Sequence, residues 1–588
     1  MFCVTVTRNR PTGFPGSCVR EERQVGGFIV TAVTDSVFSR FEDIPGGYKI
    51  TESCPDDADH GDIPLSEVII DSSAGQLGIS TPMLYSRPIY YHVNDRGEFF
   101  SSTHVSMLRA AGVAIEENAD ALPEFFMYRY VMPPRTLYRN IHKVTAGDRL
   151  TVSIGRERCE VSTTDRFDPF ADRNPHTSPT IEEAQDEALH ILSGSVASIR
   201  PDADRIAVLL SGGLDSSILF RLCGREHGTG DSYSTAYPFQ EERTDIEKGY
   251  ALTAADAFGT KHAIYETTNE CYLRGLVGSI AAAEEPVDHL QSVMFHLLFG
   301  EGLHSGKKVI VSGDGADGLL GLRVHNYIHR YGGHKRMYDF FSQRPFFSSL
   351  ALFSSLTGRM QDFVRALETV GTYALDMPTD DPRSIVWSVD SYGNEEWVCR
   401  YFNATPGDII ENRRTFLSRF EGRSLYDLLS VTPLYSTARG IWSKLGESTG
   451  KAAVYPFVDR QFVEYTFSVD WEIKLKQPNN ILRGVARNLD IPDFIIERKK
   501  SGFGVHPEHW ATRGGVFEPL LGLAEKTMDT GSVRELQSTD QTKAMTFWNV
   551  LNYAIWKRLC INNEPTAAII NELDEYIGNS GTGGNDDR

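Results

Sequence analysis

A chain of 588 residues exceeds what a single hydrophobic core serves, so two or more domains are expected. With 41% hydrophobic and 23% charged residues it is neither disordered nor fibrous, and no apolar run reaches the roughly eighteen residues of a membrane span. A net charge of −20 argues against nucleic acid as a partner, and eight cysteines without a C-x-x-C pair argue against zinc and disulfides.

The N-terminus, MFCVTVTRNR, has no basic stretch followed by an apolar core, so no signal peptide is read there and a reducing cytoplasm is expected. Residues 1–158 carry β patterns. Phe2 to Val6 alternates, Val25 to Val33 and Glu67 to Asp71 continue the theme, and Asn94-Asp95-Arg96-Gly97 sits between two β-rich runs as a hairpin turn does. Residues 159–180 are polar and proline-bearing and are expected to form a linker. From Ile181 strands and helices alternate through Val311, the pattern of a parallel α/β sheet. Residues 323–430 are aromatic-rich and expected to be helical, within a domain running to 575. The glycine-rich 576–588 reads as a disordered tail.

The second domain opens on RIAVLLSGGLDSSILF. Ile206 to Leu210 is an apolar run of a strand buried on both faces, and Ser211-Gly212-Gly213-Leu214 is a turn in which glycine allows close approach. Asp215-Ser216-Ser217 then begin a helix. Strand, glycine turn and helix N-terminus together make an anion site, with a spacing different from the kinase and GTPase P-loop. A second strand-and-glycine loop follows at Val309 to Gly321. Its Gly313, Gly315 and Gly318 match G-x-G-x-x-G formally, but Asp314 and Asp317 inside the loop would repel a dinucleotide pyrophosphate. Carboxylates facing polyphosphate across a cation suit Mg²⁺, so Asp215 and Asp317 are the expected metal pair. Three further stretches accompany these loops. Tyr233 to His262 is where an adenine would be read, Glu284-Glu285-Pro286 is an acidic pair before a proline-started helix, and Glu497 to Gly504 (ERKKSGFG) is a basic cluster beside a glycine turn.

SGGLDSS resembles the pyrophosphate loop of ATP pyrophosphatases. In order, SGGLDSS, EEPVDH, VSGDGADGLLG, YPFVD and RKKSGFG resemble the asparagine synthetases, and RPIYYHVNDRGEFFSSTHVSMLRAAG resembles the end of that family's glutaminase domain. The resemblance implies an α/β protein. Its first part would be an αββα glutaminase-like domain of the N-terminal-nucleophile type. The second would be a parallel-sheet domain of the ATP-pyrophosphatase (adenine nucleotide α-hydrolase-like) type with helical additions. It further implies ATP and Mg²⁺, with Ser211, Gly212, Gly213, Leu214, Asp215, Ser216, Ser217 and Gly313 at the nucleotide. Lys500, matching the lysine of the family's R-x-K-x-x-F motif, would stabilise the transition state, and Asp314 would serve the attacking nitrogen.

Departures from the family pattern narrow the expectation. The glutamine-dependent members place a nucleophilic cysteine directly after the initiator Met; here that position is Phe2 and the cysteine is Cys3. No counterpart of the glutamine-holding R-G-P-D and N-G-E-I-Y-N stretches occurs. The glutaminase half is therefore expected to be inactive, and the nitrogen to be an amine already carried by the substrate. That is the character of β-lactam synthetases and of lasso peptide cyclases. Extra length within 323–430 favours a peptide-sized chamber, hence a lasso-type macrolactam synthetase acting on a precursor core peptide. A leader peptidase and a leader-recognition protein would be its partners. A β-lactam synthetase, an ammonia-using asparagine synthetase and a catalytically silent scaffold are the alternatives.

Overall fold

The computed structural model describes residues 1–581 apart from 12, 16–17, 35–38, 53–65, 82–86, 172–178, 200–201, 237–240, 322–324, 326–390, 437, 477–479 and 499–506. Two antiparallel six-stranded sheets form the N-terminal domain. In spatial order the first runs His142–Lys143, Tyr90–Val93, Phe99–Ser102, Phe2–Thr7, Phe28–Thr34 and Val19–Val25. The second runs Cys159–Asp165, Arg149–Ile154, Gln76–Ser80, Ser66–Asp71, Gly47–Glu52 and Ser39–Ile44.

Strand alternation decides what each sheet buries. Phe2, Val4 and Val6 face Tyr48, Ile50, Val68 and Ile70 of the other sheet, while Cys3 points to the opposite side with Val33 and Met107. The helix Val105–Ala110 covers that opposite side. The hairpin turns where its sequence indicates, with Gly97 at φ +70° and its N–H donating to the Asn94 carbonyl at 2.9 Å.

Three boundaries differ from expectation. The linker proposed for 159–180 starts as an edge strand, Cys159–Asp165, paired along Arg149–Ile154. Its β-branched Val161, Thr163 and Thr164 fit a half-exposed pleated edge, which polarity alone concealed. The supposed tail begins inside a helix that continues to Gly581. The acidic pair is not followed by a proline-started helix: the helix begins at Leu290, capped by the His289 ring. Of the 323–430 region, the described part is helical from Glu395, in Glu395–Phe402, Pro406–Leu417 and Leu425–Leu434. Residues 326–390 lie outside the described residues.

The C-terminal domain is built on a five-stranded parallel sheet in the order Lys261–Glu266, Asp231–Ala236, Ile206–Leu209, Val309–Val311, Ala452–Val454. Ile206, Ala207 and Val208 are fully buried, as helices on both faces require. The chain moves outward from Ile206–Leu209 in one direction through two strands, then returns to its other side for the remaining two. The reversal puts a switch point beyond the carboxyl ends of Ile206–Leu209 and Val309–Val311, the place where open α/β sheets carry a ligand-binding crevice. No helix among the described residues is long and apolar enough to cross a membrane.

Candidate active site

Both glycine loops leave the sheet at this crevice and touch one another. In the first, Gly212 sits at φ +70°, and a Cβ there would lie 2.3 Å from the Tyr250 carbonyl oxygen. Only glycine satisfies both conditions. The Ser216 hydroxyl accepts from the Ser211 N–H at 3.2 Å and donates to the Gly213 carbonyl at 3.1 Å, locking the turn. The helix Leu214–His227 starts at Gly213 without a capping side chain, and Asp215 stands in its first turn. Its amide groups and dipole thus favour an anion in the turn. Ser217 is fully buried behind the loop, so among the two serines it is Ser216 that shapes the turn.

Gly313 brings the second loop against the first. A Cβ at Gly313 would lie 3.1 Å from the Ser216 nitrogen and 3.3 Å from the Asp215 Cβ. Gly315 follows at φ +99°, pressed against Val458, and turns the chain into the short helix Ala316–Leu320 with Asp317 in its first turn. Asp215 and Asp317 therefore stand on two loops in mutual contact. Among the described residues no group of three or more His, Cys, Asp or Glu side chains is placed to hold a metal by itself. Two carboxylates beside a phosphate cradle fit Mg²⁺, which keeps phosphate oxygens and water as its other ligands. Replacing Gly313 by alanine should wedge the loops apart by a few tenths of an ångström. The expected result is a kcat/KM for ATP about tenfold lower, at unchanged melting temperature, by steady-state kinetics and thermal melts.

Asp314 is engaged elsewhere. Its Oδ2 pairs with Arg439 Nη1 at 2.8 Å, and the buried Arg439 also donates to the Pro433 carbonyl at 2.7 Å. Neither arginine nor pairing had a local signal, since 125 residues separate the partners. The basic stretch ERKKSGFG does reach the first loop, through Arg498: its Nη1 donates to the Gly212 carbonyl at 3.2 Å, Nη2 contacts Glu247 at 3.2 Å, and its guanidinium stacks 3.4 Å from the Tyr250 ring centre. Lys500 lies outside the described residues. Arg483 and Arg487 are both taken by Glu497.

Glu284 and Glu285 belong to the domain junction rather than to the loops. Glu284 accepts from the Val105 and Ser106 N–H groups at 2.5 and 3.3 Å, capping the helix Val105–Ala110 from the other domain. Glu285 pairs with Lys143 at 2.6 Å and accepts from Tyr90. Glu447 and Arg87 add a buried ion pair at 2.7 Å across the same junction. At the N-terminus Cys3 is fully buried with its Sγ 4.0 Å from the Met107 carbonyl, and burial raises its thiol pKa beyond the ordinary range. A thiol so held is a poor nucleophile.

Comparison with known proteins places the chain among its relatives. The asparagine synthase family matches residues 187–559, and a glutamine amidotransferase domain matches residues 67–163. Over 500 residues the chain is 22% identical to asparagine synthetase [glutamine-hydrolyzing] 1 of Bacillus subtilis, covering 81% of this chain and 74% of that protein. Over 218 residues it is 26% identical to putative asparagine synthetases of Mycobacterium bovis and Mycobacterium tuberculosis, covering 37% of this chain and about a third of theirs, 32%.

Proposed function

The chain belongs to the asparagine synthase family, and from that premise we propose that it closes a macrolactam ring in a peptide at the expense of ATP. The coarser statement is secure: it is an asparagine synthetase-like ligase that joins carbon to nitrogen, with a glutamine amidotransferase-type domain of antiparallel sheets ahead of a parallel-sheet domain. In the proposed reaction an Asp or Glu side-chain carboxylate of the peptide attacks the α-phosphate of ATP and pyrophosphate leaves. The peptide's own N-terminal amine then displaces AMP from the activated acyl group. Holding amine and acyl group in one molecule removes an entropic cost of several kcal/mol.

The observation that carries this reading is at the N-terminus. Phe2 and Cys3 are fully buried within a sheet strand, and burial pushes the thiol's pKa well above its ordinary value. Ammonia release from glutamine needs an exposed thiolate or an exposed terminal cysteine amine. A substrate that brings its own amine removes that need. Within the crevice, Gly212, Gly213, Leu214 and Ser216 would cradle the departing pyrophosphate with the helix N-terminus behind them. Arg498 would fix the loop, and Asp215 with Asp317 would hold Mg²⁺, which when bound neutralises charge on the phosphates. Lys500 is assigned to the charge that builds on the leaving group.

Incubation of the full chain with ATP, Mg²⁺ and a precursor peptide from its gene neighbourhood should yield product lighter by one water, with AMP and pyrophosphate in equal amounts, by intact-mass spectrometry and nucleotide chromatography. Asparagine from aspartate and ammonia would replace this reading by that of an ammonia-using synthetase. Release of ADP would sink it.

A further inference from the structure

Two opposite charges from different domains meet near the second loop without pairing. Arg129 ends the helix Leu122–Tyr128 at φ +67°, a backbone region that residues other than glycine avoid. Its guanidinium lies 3.8 Å from the Tyr392 ring centre, and its buried Nε has no hydrogen-bond partner. Asp288 precedes the helix Leu290–Leu297, is 6% exposed, and its Oδ1 likewise has no partner among the described residues. The two groups feel each other electrostatically, yet no ion pair joins them. A buried carboxylate oxygen and a buried guanidinium nitrogen left unbonded in this way are costly unless a ligand completes them, even though Arg129 as a whole is only half-buried.

The surroundings point to the kind of ligand. Asp314 and Arg439 are within electrostatic reach of Asp288 but satisfy each other at 2.8 Å. His289, the adjacent ring, accepts from the Gln291 N–H and is pushed down to about 3 by burial and then by Arg129, so it is neutral and offers Asp288 no counter-charge. A cation next to Asp288 and an acceptor oxygen next to Arg129 would complete both orphan atoms. An α-ammonium group beside a carbonyl has that arrangement.

We propose that Asp288 and Arg129 form the acceptor subsite, Asp288 receiving the attacking primary amine and Arg129 the carbonyl oxygen of the same residue. This rests on the reading that the substrate carries its own amine. The amine lone pair forms the new C–N bond to the activated acyl carbon, and the bond from that carbon to the AMP oxygen breaks with its electrons leaving on AMP. The bound ammonium first gives one proton to an Asp288 oxygen, which frees that lone pair, and the second proton, lost as the amide forms, passes to the phosphate of the departing AMP. Burial, opposed by Arg129 and reinforced by Asp314, pushes this carboxyl up to about 6, a range suited to taking a proton near neutral pH. Asp314, held by Arg439, then orients rather than accepts. The glutaminase-like domain contributes half of the subsite even with its own cysteine buried.

Glycinamide, an ammonium beside an amide carbonyl, serves as probe for the full chain by saturation-transfer NMR, with methylamine as the reference lacking a carbonyl. The subsite predicts saturable glycinamide binding weakened at least about tenfold in both Asp288→Asn and Arg129→Gln, and methylamine binding weakened in Asp288→Asn alone. The melting temperature of Asp288→Asn should equal or exceed that of the unsubstituted chain, because an uncompensated buried carboxylate is gone. Glycinamide binding that is absent, or equal in chain and variants, overturns the proposal; so does a fall of several degrees in Asp288→Asn, which marks a structural carboxylate. Glycinamide held through Asp288 by a chain that closes no peptide ring keeps the subsite and rejects the ring-closing reading alone.

Discussion

Asp215→Asn and Asp317→Asn should each lower ATP-dependent release of pyrophosphate by about a thousandfold while leaving the chain folded. Both substitutions keep side-chain volume and remove only a hard anionic oxygen. The loops that carry the two carboxylates are in contact through Gly313, so each change would remove one ligand of the Mg²⁺ proposed to lie between them. Groups that act as a unit lose function once, so the double variant should be no slower than the slower single one. A pure helix-capping role predicts otherwise: a stability loss of about 0.5–1 kcal/mol per site and a rate within a few-fold of the parent. Coupled pyrophosphate assays and thermal melts of the four proteins separate the two cases.

Breaking the Arg87–Glu447 pair should cost about 3–5 kcal/mol of stability in either single variant, Arg87→Met or Glu447→Gln. Arg87 is only 2% exposed and Glu447 comes from the opposite domain, so each change removes a buried charge's partner across the junction, although Glu447 keeps the Met1 amino group at 3.0 Å. The double variant removes both charges of the pair together and should recover part of the loss, by urea unfolding. Acid should act through the same group. Burial would raise the Glu447 carboxyl, but Arg87 and then His104 outweigh it and hold it well below its ordinary value of 4.5. A carboxyl depressed on folding stabilises fully above that ordinary value. Its contribution declines as pH falls below it, and the Glu447→Gln protein should lack this part of the acid sensitivity.

Local chemistry made the first loop legible. An apolar strand, two glycines and a helix start lie within sixteen residues, and the Ser211–Ser216–Gly213 hydrogen bonds that lock the turn are made inside that stretch, while Tyr250, Arg498 and Gly313 press on it from outside. The hairpin at Asn94–Gly97 and the inward-facing Phe2 were legible for the same reason, since alternation and turn residues act over a few positions. Arg129, Asp288 and Arg439 gave no such sign. They come together across 159 and 151 positions of chain, Arg129 by the docking of one domain on another and Arg439 by the folding of the second domain, and no periodicity records that. Glu284 and Glu285 misled in the opposite sense: a motif's place in the order of motifs does not say which side of the sheet its side chains reach. The edge strand Cys159–Asp165 escaped because an exposed edge can be as polar as a linker.

The segment Glu284–Asp288 has one end fastened to the N-terminal domain and the other in the acceptor subsite. Five residues cannot absorb much displacement, so the position of Asp288 is tied to how the first domain is seated. The two halves of this chain are thus not interchangeable parts. A synthetase half paired with the first domain of a relative would inherit that domain's seating, and with it a different placement of the acceptor. Natural recombination between such genes would be disfavoured at this joint, and engineered chimaeras should be cut elsewhere.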